Sequence, residues 1–193
     1  MHNVSRRTFL GTSALVGTSL LAACGSSEGS SEVPGAQDGK KKVLRFGMGS
    51  LGAPLDMQKN GMSVAGTLTN AIFEGLLTWN DDLELEPTLL TAIPEFEADG
   101  VTLPCELLSG VTFHDGSALT AQDVKFTFER MFNPSTGAGN YASYTQIKGA
   151  QEMLAGERDN LDEGIVIADD THFSFVLTEP SATFVPSLGV FYA

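Results

Sequence analysis

Residues 110–124, GVTFHDGSALTAQDV, place the clearest turn of the chain directly before its clearest helix. Residues 111–116 have the pattern of a short strand that runs into a tight turn at Asp115-Gly116. Thr120 then opens a helix, because its side chain can cap the first turn while Asp123 occupies the third helical position. This stretch predicts a strand, a turn and a capped helix in direct succession.

The helix that follows Thr120 carries one apolar face. Its members recur at spacings of three and four residues: Ala121, Val124, Phe128, Met131 and Phe132. We expect this stripe to pack in the core rather than to contact a cofactor. Asn133-Pro134 is expected to end the helix, because a residue before proline is disfavoured in helical conformation.

Strand and helix patterns alternate on both sides of this helix. Strands are expected at residues 43–48, near Trp79, and at 102–108, 165–167 and 173–177, and helices at 71–77, 147–154 and from Pro180 onward. Pro104 lies inside the 102–108 run and has no N–H to donate, so that strand is expected at a sheet edge or a bulge. The alternation predicts an α/β fold of the mixed α+β kind.

The amino terminus has the pattern of a cleaved export signal over residues 1–23. Arg6 and Arg7 precede an uncharged stretch that is short for a membrane span, and small residues lead into Cys24. The Arg pair resembles a twin-arginine signal, and Leu-Ala-Ala-Cys resembles a bacterial lipobox, which implies lipid attachment at Cys24 and a location outside the cytoplasm, on the membrane surface. The alternatives are a general secretory signal with an incidental Arg pair and an uncleaved anchor.

Residues 24–42 are rich in Gly, Ser and charge and nearly free of apolar side chains, so they are expected to form a flexible tether. The whole chain has 24 acidic and 11 basic residues, and loss of Arg6 and Arg7 with the signal would make it more acidic still. Such a charge repels phosphate backbones, and no basic patch interleaved with aromatics is present. Nucleic acid is therefore not expected as a partner.

No catalytic residue, metal site or cofactor is expected. Cys24 and Cys105 are the two cysteines, and with the first taken by lipid we expect Cys105 to be a small buried apolar residue. The three histidines are scattered, without the spacing of a metal site.

Three motifs imitate functional sites. Residues 47–52 match GxGxxG, but Pro54 and later breakers prevent the long helix that a dinucleotide site needs, so a loop is expected. His114-Asp115 is better explained by the Asp-Gly turn than by acid–base chemistry. The acidic pairs at 81–82 and 169–170 lack calcium-loop spacing and are expected to be solvated turns.

Several runs in this order and spacing resemble the solute-binding proteins of peptide ABC transporters, family 5, which include oligopeptide- and dipeptide-binding lipoproteins. The runs are residues 70–78, 86–90 and 110–124, extended by 133–134, 141–144, 167–171 and 177–180. The resemblance covers essentially all of residues 43–193. Pro104 departs from the family pattern of the strand in which it lies.

The resemblance implies part of a type II periplasmic-binding-protein-like fold, in which two lobes close around a ligand. Residues 43–75 would start the first lobe, 76–180 would form the small accessory domain, and 181–193 would return to the first lobe. Such receptors run to roughly two and a half times this length. The other lobe and the hinge are thus absent from the sequence, and we expect the chain alone to be marginally stable and to bind peptide weakly or not at all.

By position, residues Asn60, Gly61, Met62 and Ser63 resemble the segment that pairs with the ligand backbone, and Tyr141 resembles a tyrosine whose hydroxyl reaches it. The implied function is capture of an oligopeptide or dipeptide and delivery to membrane permease subunits. Tyr141 could equally be a packed loop aromatic. The alternative functions are a truncated remnant that does not bind and an exported hydrolase, and the ligand stays open because similar receptors take up nickel or haem.

Overall fold

The computed structural model of the protein describes residues 43–50, 52, 55–61 and 63–190. A boundary between two compact units falls between Arg45 and Phe46, and every contact reported below lies within residues 46–190. The sequence predictions for Arg6, Arg7, Cys24, the tether and Met62 fall outside the described residues.

The described part of the chain contains groups of short strands separated by helices. The helices are α1 (Ser63–Thr69), α2 (Ala121–Phe132), α3 (Ala150–Leu154) and α4 (Phe184–Ser187), with single 3₁₀ turns at Pro134–Thr136 and Ala142–Tyr144. The strands are β1 (Leu77–Trp79), β2 (Leu85–Pro87), β3 (Thr102–Glu106), β4 (Ile165–Ile167) and β5 (His172–Val176). The fold is of the mixed α+β kind, as the sequence predicts.

A three-stranded antiparallel sheet in the order β3-β5-β4 forms one wall of the core. In the central strand β5, Phe173 and Phe175 are buried and alternate with residues that reach solvent, which is the period of a half-buried strand. Pro104 lies opposite Ser174 in β3, an edge strand, which confirms the position expected for a residue without an N–H. A separate hairpin pairs β1 with β2.

Helix α2 covers the sheet with the apolar face that the sequence predicts. The carboxylate of Asp123 accepts hydrogen bonds of 2.8 Å from the backbone N–H and the hydroxyl of Thr120, which fixes the first turn. Asn133 ends the helix as expected, and its side chain accepts a hydrogen bond from the backbone N–H of Ser135. The stripe is buried: Ala121, Val124, Phe128, Met131 and Phe132.

Aromatic rings form the centre of the core. Phe128 of α2 meets Phe175 of β5 and Tyr144 edge to face, with ring centroids 5.2 and 5.3 Å apart. Phe184 packs against Phe175 at 5.3 Å in the same manner. Each such pair contributes about 0.5–1.5 kcal/mol beyond the burial of its area. The rings therefore join α2, the sheet, the 142–144 turn and α4 into one core.

The structure corrects two predictions near the start of the body. Residues 43–48 form no strand and are exposed, and no described strand pairs with them, so their backbone has no ladder to join. The predicted helix at 71–77 is also wrong, because α1 ends at Thr69 and a turn leads into β1. The strand expected near Trp79 is confirmed.

Three further boundaries differ from the predictions. Residues 111–116 form no full strand: a single bridge joins Thr112 to Ala118 around the turn, where Gly116 has a positive φ of 89°. The helix expected from residue 147 begins only at Ala150, after Gly149. The last helix begins at Phe184 rather than at Pro180.

The β4–β5 turn supplies an acid–histidine contact. Nδ1 of His172 lies 2.9 and 3.0 Å from the two carboxylate oxygens of Asp169, and Nε2 lies 3.7 Å from Glu106 on the neighbouring strand. The hydrogen bond with Asp169 raises the pKa of His172, and the charges of both acids act in the same direction. Asp169 also accepts hydrogen bonds from the backbone of Thr171 and His172, which confirms that residues 169–170 form a turn.

We predict that His172 titrates above its ordinary pKa of 6.5. A raised pKa in the folded state means that its stabilising contribution is complete below the unfolded value and is lost as the pH rises through the folded value. An NMR titration of the imidazole measures the midpoint, which Asp169→Asn should lower toward 6.5. Asp159→Asn, an exposed acid outside this turn, is the control and should leave it unchanged. A midpoint at or below 6.5 in the unaltered chain would contradict this assignment.

Candidate functional site

The segment before α1 is a tight turn built on Asp56. The backbone N–H groups of Lys59 and Asn60 donate to the carbonyl of Asp56 at 3.0 and 2.9 Å, and the side chain of Asp56 accepts from the N–H of Gln58 at 3.3 Å. Aspartate favours such turns because its side chain can bond the backbone two residues onward. The turn brings residues 56–60 back onto the side of α2.

Arg130 of α2 holds this turn. Its Nη1 and Nη2 donate to the two carboxylate oxygens of Asp56 at 3.2 and 2.6 Å, and Nη1 also donates to Oε1 of Gln58 at 2.5 Å. Nε2 of Gln58 donates in turn to the carbonyl of Thr127 at 2.8 Å. Only a planar guanidinium can make this forked set of bonds.

The electrostatics of the cluster follow from this pairing. The hydrogen bond from Arg130 lowers the pKa of Asp56, with a further lowering from the Arg130 charge, while partial burial acts in the opposite direction. The same bond raises the pKa of Arg130. Both groups are therefore charged at neutral pH, and the pair weakens only when acid protonates Asp56 at a pH below the ordinary carboxyl range.

The loop before Tyr141 meets the other side of the same turn. The N–H of Gly139 donates to the carbonyl of Gln58, and Nδ2 of Asn140 donates to the carbonyl of Met57, each at 2.9 Å. A β-carbon added at Gly61 would lie only 3.0 Å from Oδ1 of Asn140, so the backbone approaches that side chain closely. Residues 56–61 are thus held between α2 and the 139–140 loop.

The structure brings the predicted ligand-contacting residues to one region. Asn60 is 2% exposed, Gly61 and Ser63 are exposed, and Tyr141 is half-buried against the core. Within residues 55–61 and 63–190, neither the backbone of Gly61 nor the hydroxyl of Tyr141 makes a hydrogen bond. Met62 lies outside the described residues.

An open apolar cleft of 540 Å³ adjoins the cluster. Asp56 and Arg130 are among its polar lining residues, and its apolar lining includes three aromatic side chains that are more than a third exposed: Phe73, Phe113 and Phe126. Asp123, Thr127 and Arg130 line the cleft together because residues four and three apart share one face of α2.

The motifs that the sequence analysis set aside have structural roles. Burial raises the pKa of the Cys105 thiol to about 12, so this side chain stays protonated and packs as an apolar group. Asp115 accepts hydrogen bonds from the N–H and hydroxyl of Ser117 within its turn, which confirms the turn interpretation of His114-Asp115. The described residues of the 47–52 motif lie in a loop, as expected.

Two features are absent from residues 43–50, 52, 55–61 and 63–190. No three His, Cys, Asp or Glu side chains there are grouped so that they could hold a metal ion. None of the helices there has the length and apolar character that crossing a bilayer requires.

Sequence reasoning missed four residues of this region: Asp56, Gln58, Arg130 and Asn140. Arg130 lies opposite the apolar stripe, so its position outside the core-facing side of α2 could be read from the helical period. Its partner Asp56 is 74 residues away, and no local pattern in a single sequence connects the two. Asn140 precedes Tyr141 directly, yet nothing in the local sequence indicates a contact with Met57.

Three comparisons place this fold among known proteins. The chain is 30% identical over 184 residues to the periplasmic oligopeptide-binding protein OppA of Salmonella typhimurium, covering 93% of this chain and 33% of that protein. It is 27% identical over 190 residues to the oligopeptide-binding protein OppA of Bacillus subtilis, covering 98% of this chain and 34% of that protein. A crystal structure of Haemophilus influenzae OppA in complex with RPPGFSPFR superposes with a TM-score of 0.65 at 26% identity, over 72% of this chain and 27% of that one.

The chain spans about a third of the length of these curated relatives. The solved structure is matched over a similar share, so the chain has the fold of part of a periplasmic binding protein. The sequence profile described as bacterial extracellular solute-binding proteins, family 5 Middle, matches residues 84–193, which is more than half of the chain. The resemblance drawn from the sequence is thereby confirmed: the chain belongs to the bacterial extracellular solute-binding proteins of family 5.

Proposed function

We propose that this chain is the solute-capturing part of an ABC importer outside the cytoplasm, that its ligand is a peptide, and that it delivers this ligand to the membrane permease. The observation that supports the proposal is the contact between the 56–61 segment and the Gly139-Asn140 loop, in which Gly61 lies beside Asn140, the residue directly before Tyr141. The matched OppA proteins are named for oligopeptide binding.

The chemistry of the region suits a peptide main chain. An extended peptide can be held by backbone hydrogen bonds without recognition of its side chains. Gly61 offers an exposed backbone with no internal partner among the described residues, and Tyr141 offers a hydroxyl that can donate or accept. The neighbouring apolar cleft can take up an apolar side chain of the ligand.

The domain boundaries predicted from the sequence form part of the proposal. Residues 43–75 start the first lobe, 76–180 form the accessory domain, and 181–193 return to the first lobe. The chain spans about a third of the length of the matched OppA proteins, so it would supply only part of the contacts that enclose a ligand in a closed two-lobed receptor. The binding of peptide by this chain alone is accordingly weak.

We predict that millimolar tripeptide shifts the backbone amide NMR signals of Asn60, Gly61, Ser63 and Tyr141, with a Kd weaker than about 1 μM. Tyr141→Phe should weaken this binding by roughly three- to tenfold, the effect of one lost hydrogen bond, and leave stability unchanged. Shifts confined to other parts of the chain, or none at 10 mM peptide, would contradict the proposed site, and submicromolar binding would contradict the one-lobe account.

The matched control is Tyr144→Phe. The hydroxyl of Tyr144 donates to the carbonyl of Ser187 at 2.7 Å inside the core, so its removal should lower the free energy of unfolding by about 1 kcal/mol. Peptide shifts should persist in this variant. The two variants thus distinguish a hydroxyl that contacts the ligand from a hydroxyl that stabilises the fold.

We also propose that Cys24 carries a diacylglycerol that holds the protein on the membrane surface, after export directed by Arg6 and Arg7. The tether of residues 24–42 then gives the folded body room to reach the permease. Multiple acyl chains anchor a protein stably, because each buried methylene contributes about 0.8 kcal/mol.

Cells grown with a radioactive fatty acid test the anchor. We expect the unaltered protein to take up label and Cys24→Ala to lose it. Cys105→Ala is the matched control and should keep the label, since the Cys105 thiol is buried and protonated. Persistent label in Cys24→Ala would show that the lipid is elsewhere.

A further inference from the structure

Residues 55–61, which we call the ligand segment because the proposed function assigns ligand contacts there, have no helix or strand to fix their position. Residues 55–61 form a turn and irregular backbone ahead of α1, and the hydrogen bonds within the turn go to the carbonyl and the side chain of Asp56. A short segment of this kind opens easily unless tertiary contacts hold it. Its placement beside Tyr141 therefore depends on the groups that bond it to the rest of the fold.

Those groups are polar and partly shielded from water. Gln58 is 5% exposed, and both ends of its amide are bonded, to Arg130 and to the Thr127 carbonyl. The side chains of Asp56 and Arg130 retain 24% and 36% exposure. Loss of the guanidinium would leave the buried oxygen of Gln58 without its donor and the carboxylate of Asp56 without its main cationic partner, which is costly in a shielded site.

The bonds form a continuous connection from the core to the ligand region. Phe128 and Met131 fix α2 in the core, and Arg130 leaves the same helix on the side that faces the turn. On its other side, the turn accepts hydrogen bonds from Gly139 and Asn140 at the carbonyls of residues 58 and 57, respectively.

We infer that Arg130, acting with Asp56 and Gln58, is a positioning residue that fixes residues 56–61 against the Gly139-Asn140 loop, next to Tyr141, and so sets the geometry in which a peptide backbone is received. This inference rests on the proposed function for its ligand. The mechanical part of the inference is that Arg130 holds the turn. It depends only on the hydrogen bonds among Arg130, Asp56 and Gln58 and needs no ligand.

Amide hydrogen exchange of the full chain tests the mechanical part without any ligand. The reporters are the N–H groups of Lys59 and Asn60, bonded to the Asp56 carbonyl, and of Gly139, bonded to the Gln58 carbonyl. Arg130→Met should speed their exchange at least tenfold relative to the unaltered chain. The N–H of Val176, bonded to the Gly164 carbonyl in the core, should be unchanged.

Two variants separate the role of Arg130 from a general effect of losing a charge. Arg130→Lys keeps the positive charge but cannot form the forked set of hydrogen bonds. The exchange rates of the three reporter amides should therefore fall between those of the unaltered chain and those of Arg130→Met. Lys148→Met removes another basic residue, which pairs with Glu163 at 2.9 Å, and should leave all three reporters within twofold of the original. Unchanged reporters in Arg130→Met, or an equal acceleration at Val176, would overturn the inference.

Titration with tripeptide adds the ligand to the test. Arg130→Met should lower the peptide affinity, measured from the shifts at Gly61 and Ser63, about tenfold. The thermal unfolding midpoint should stay within a few degrees of the original. Arg130→Lys should restore part of the affinity. If the unaltered chain shows no peptide shifts, the proposed function fails, and the exchange rates still decide whether Arg130 holds the turn. Full peptide affinity in Arg130→Met together with accelerated exchange would overturn the positioning role.

Discussion

Burial of the Phe128 ring is the constraint on which the rest of the structure depends. The ring contacts Phe175 of the central strand and Tyr144 of the 142–144 turn, and Phe175 in turn contacts Phe173 and Phe184. A three-stranded sheet whose strands have at most five residues leaves its apolar face in water unless another element covers it. It becomes stable when α2 covers one face, and the aromatic ring edges determine how the helix lies on it.

The same helix serves two different surfaces. The face that includes Phe128 and Met131 belongs to the core, and the face that includes Asp123, Thr127 and Arg130 meets the turn at residues 56–60 and the apolar cleft. Any change that rotates α2 in the core therefore moves Arg130 and the segment that it holds. This coupling explains how an irregular segment without regular secondary structure is kept in a defined place.

Local patterns in the sequence predicted the elements whose signals lie within a few residues. Three local signals predict the α2 helix: the cap formed by Thr120 and Asp123, the apolar period, and Asn133-Pro134 at its end. Pro104 predicts an edge strand. The predictions failed where an element depends on a distant partner. Residues 43–48 have strand propensity but no described strand to pair with, and the Arg130 bond to Asp56 joins residues 74 positions apart.

The comparison of Phe128→Ala with Phe126→Ala in urea unfolding tests the central claim most directly. Both residues lie on α2, but Phe128 is fully buried and Phe126 is 61% exposed. The account predicts that Phe128→Ala lowers the free energy of unfolding by about 3–5 kcal/mol, enough to unfold a marginal domain, and that Phe126→Ala lowers it by less than about 1 kcal/mol. Equal and small losses in both variants would contradict a core organised around Phe128.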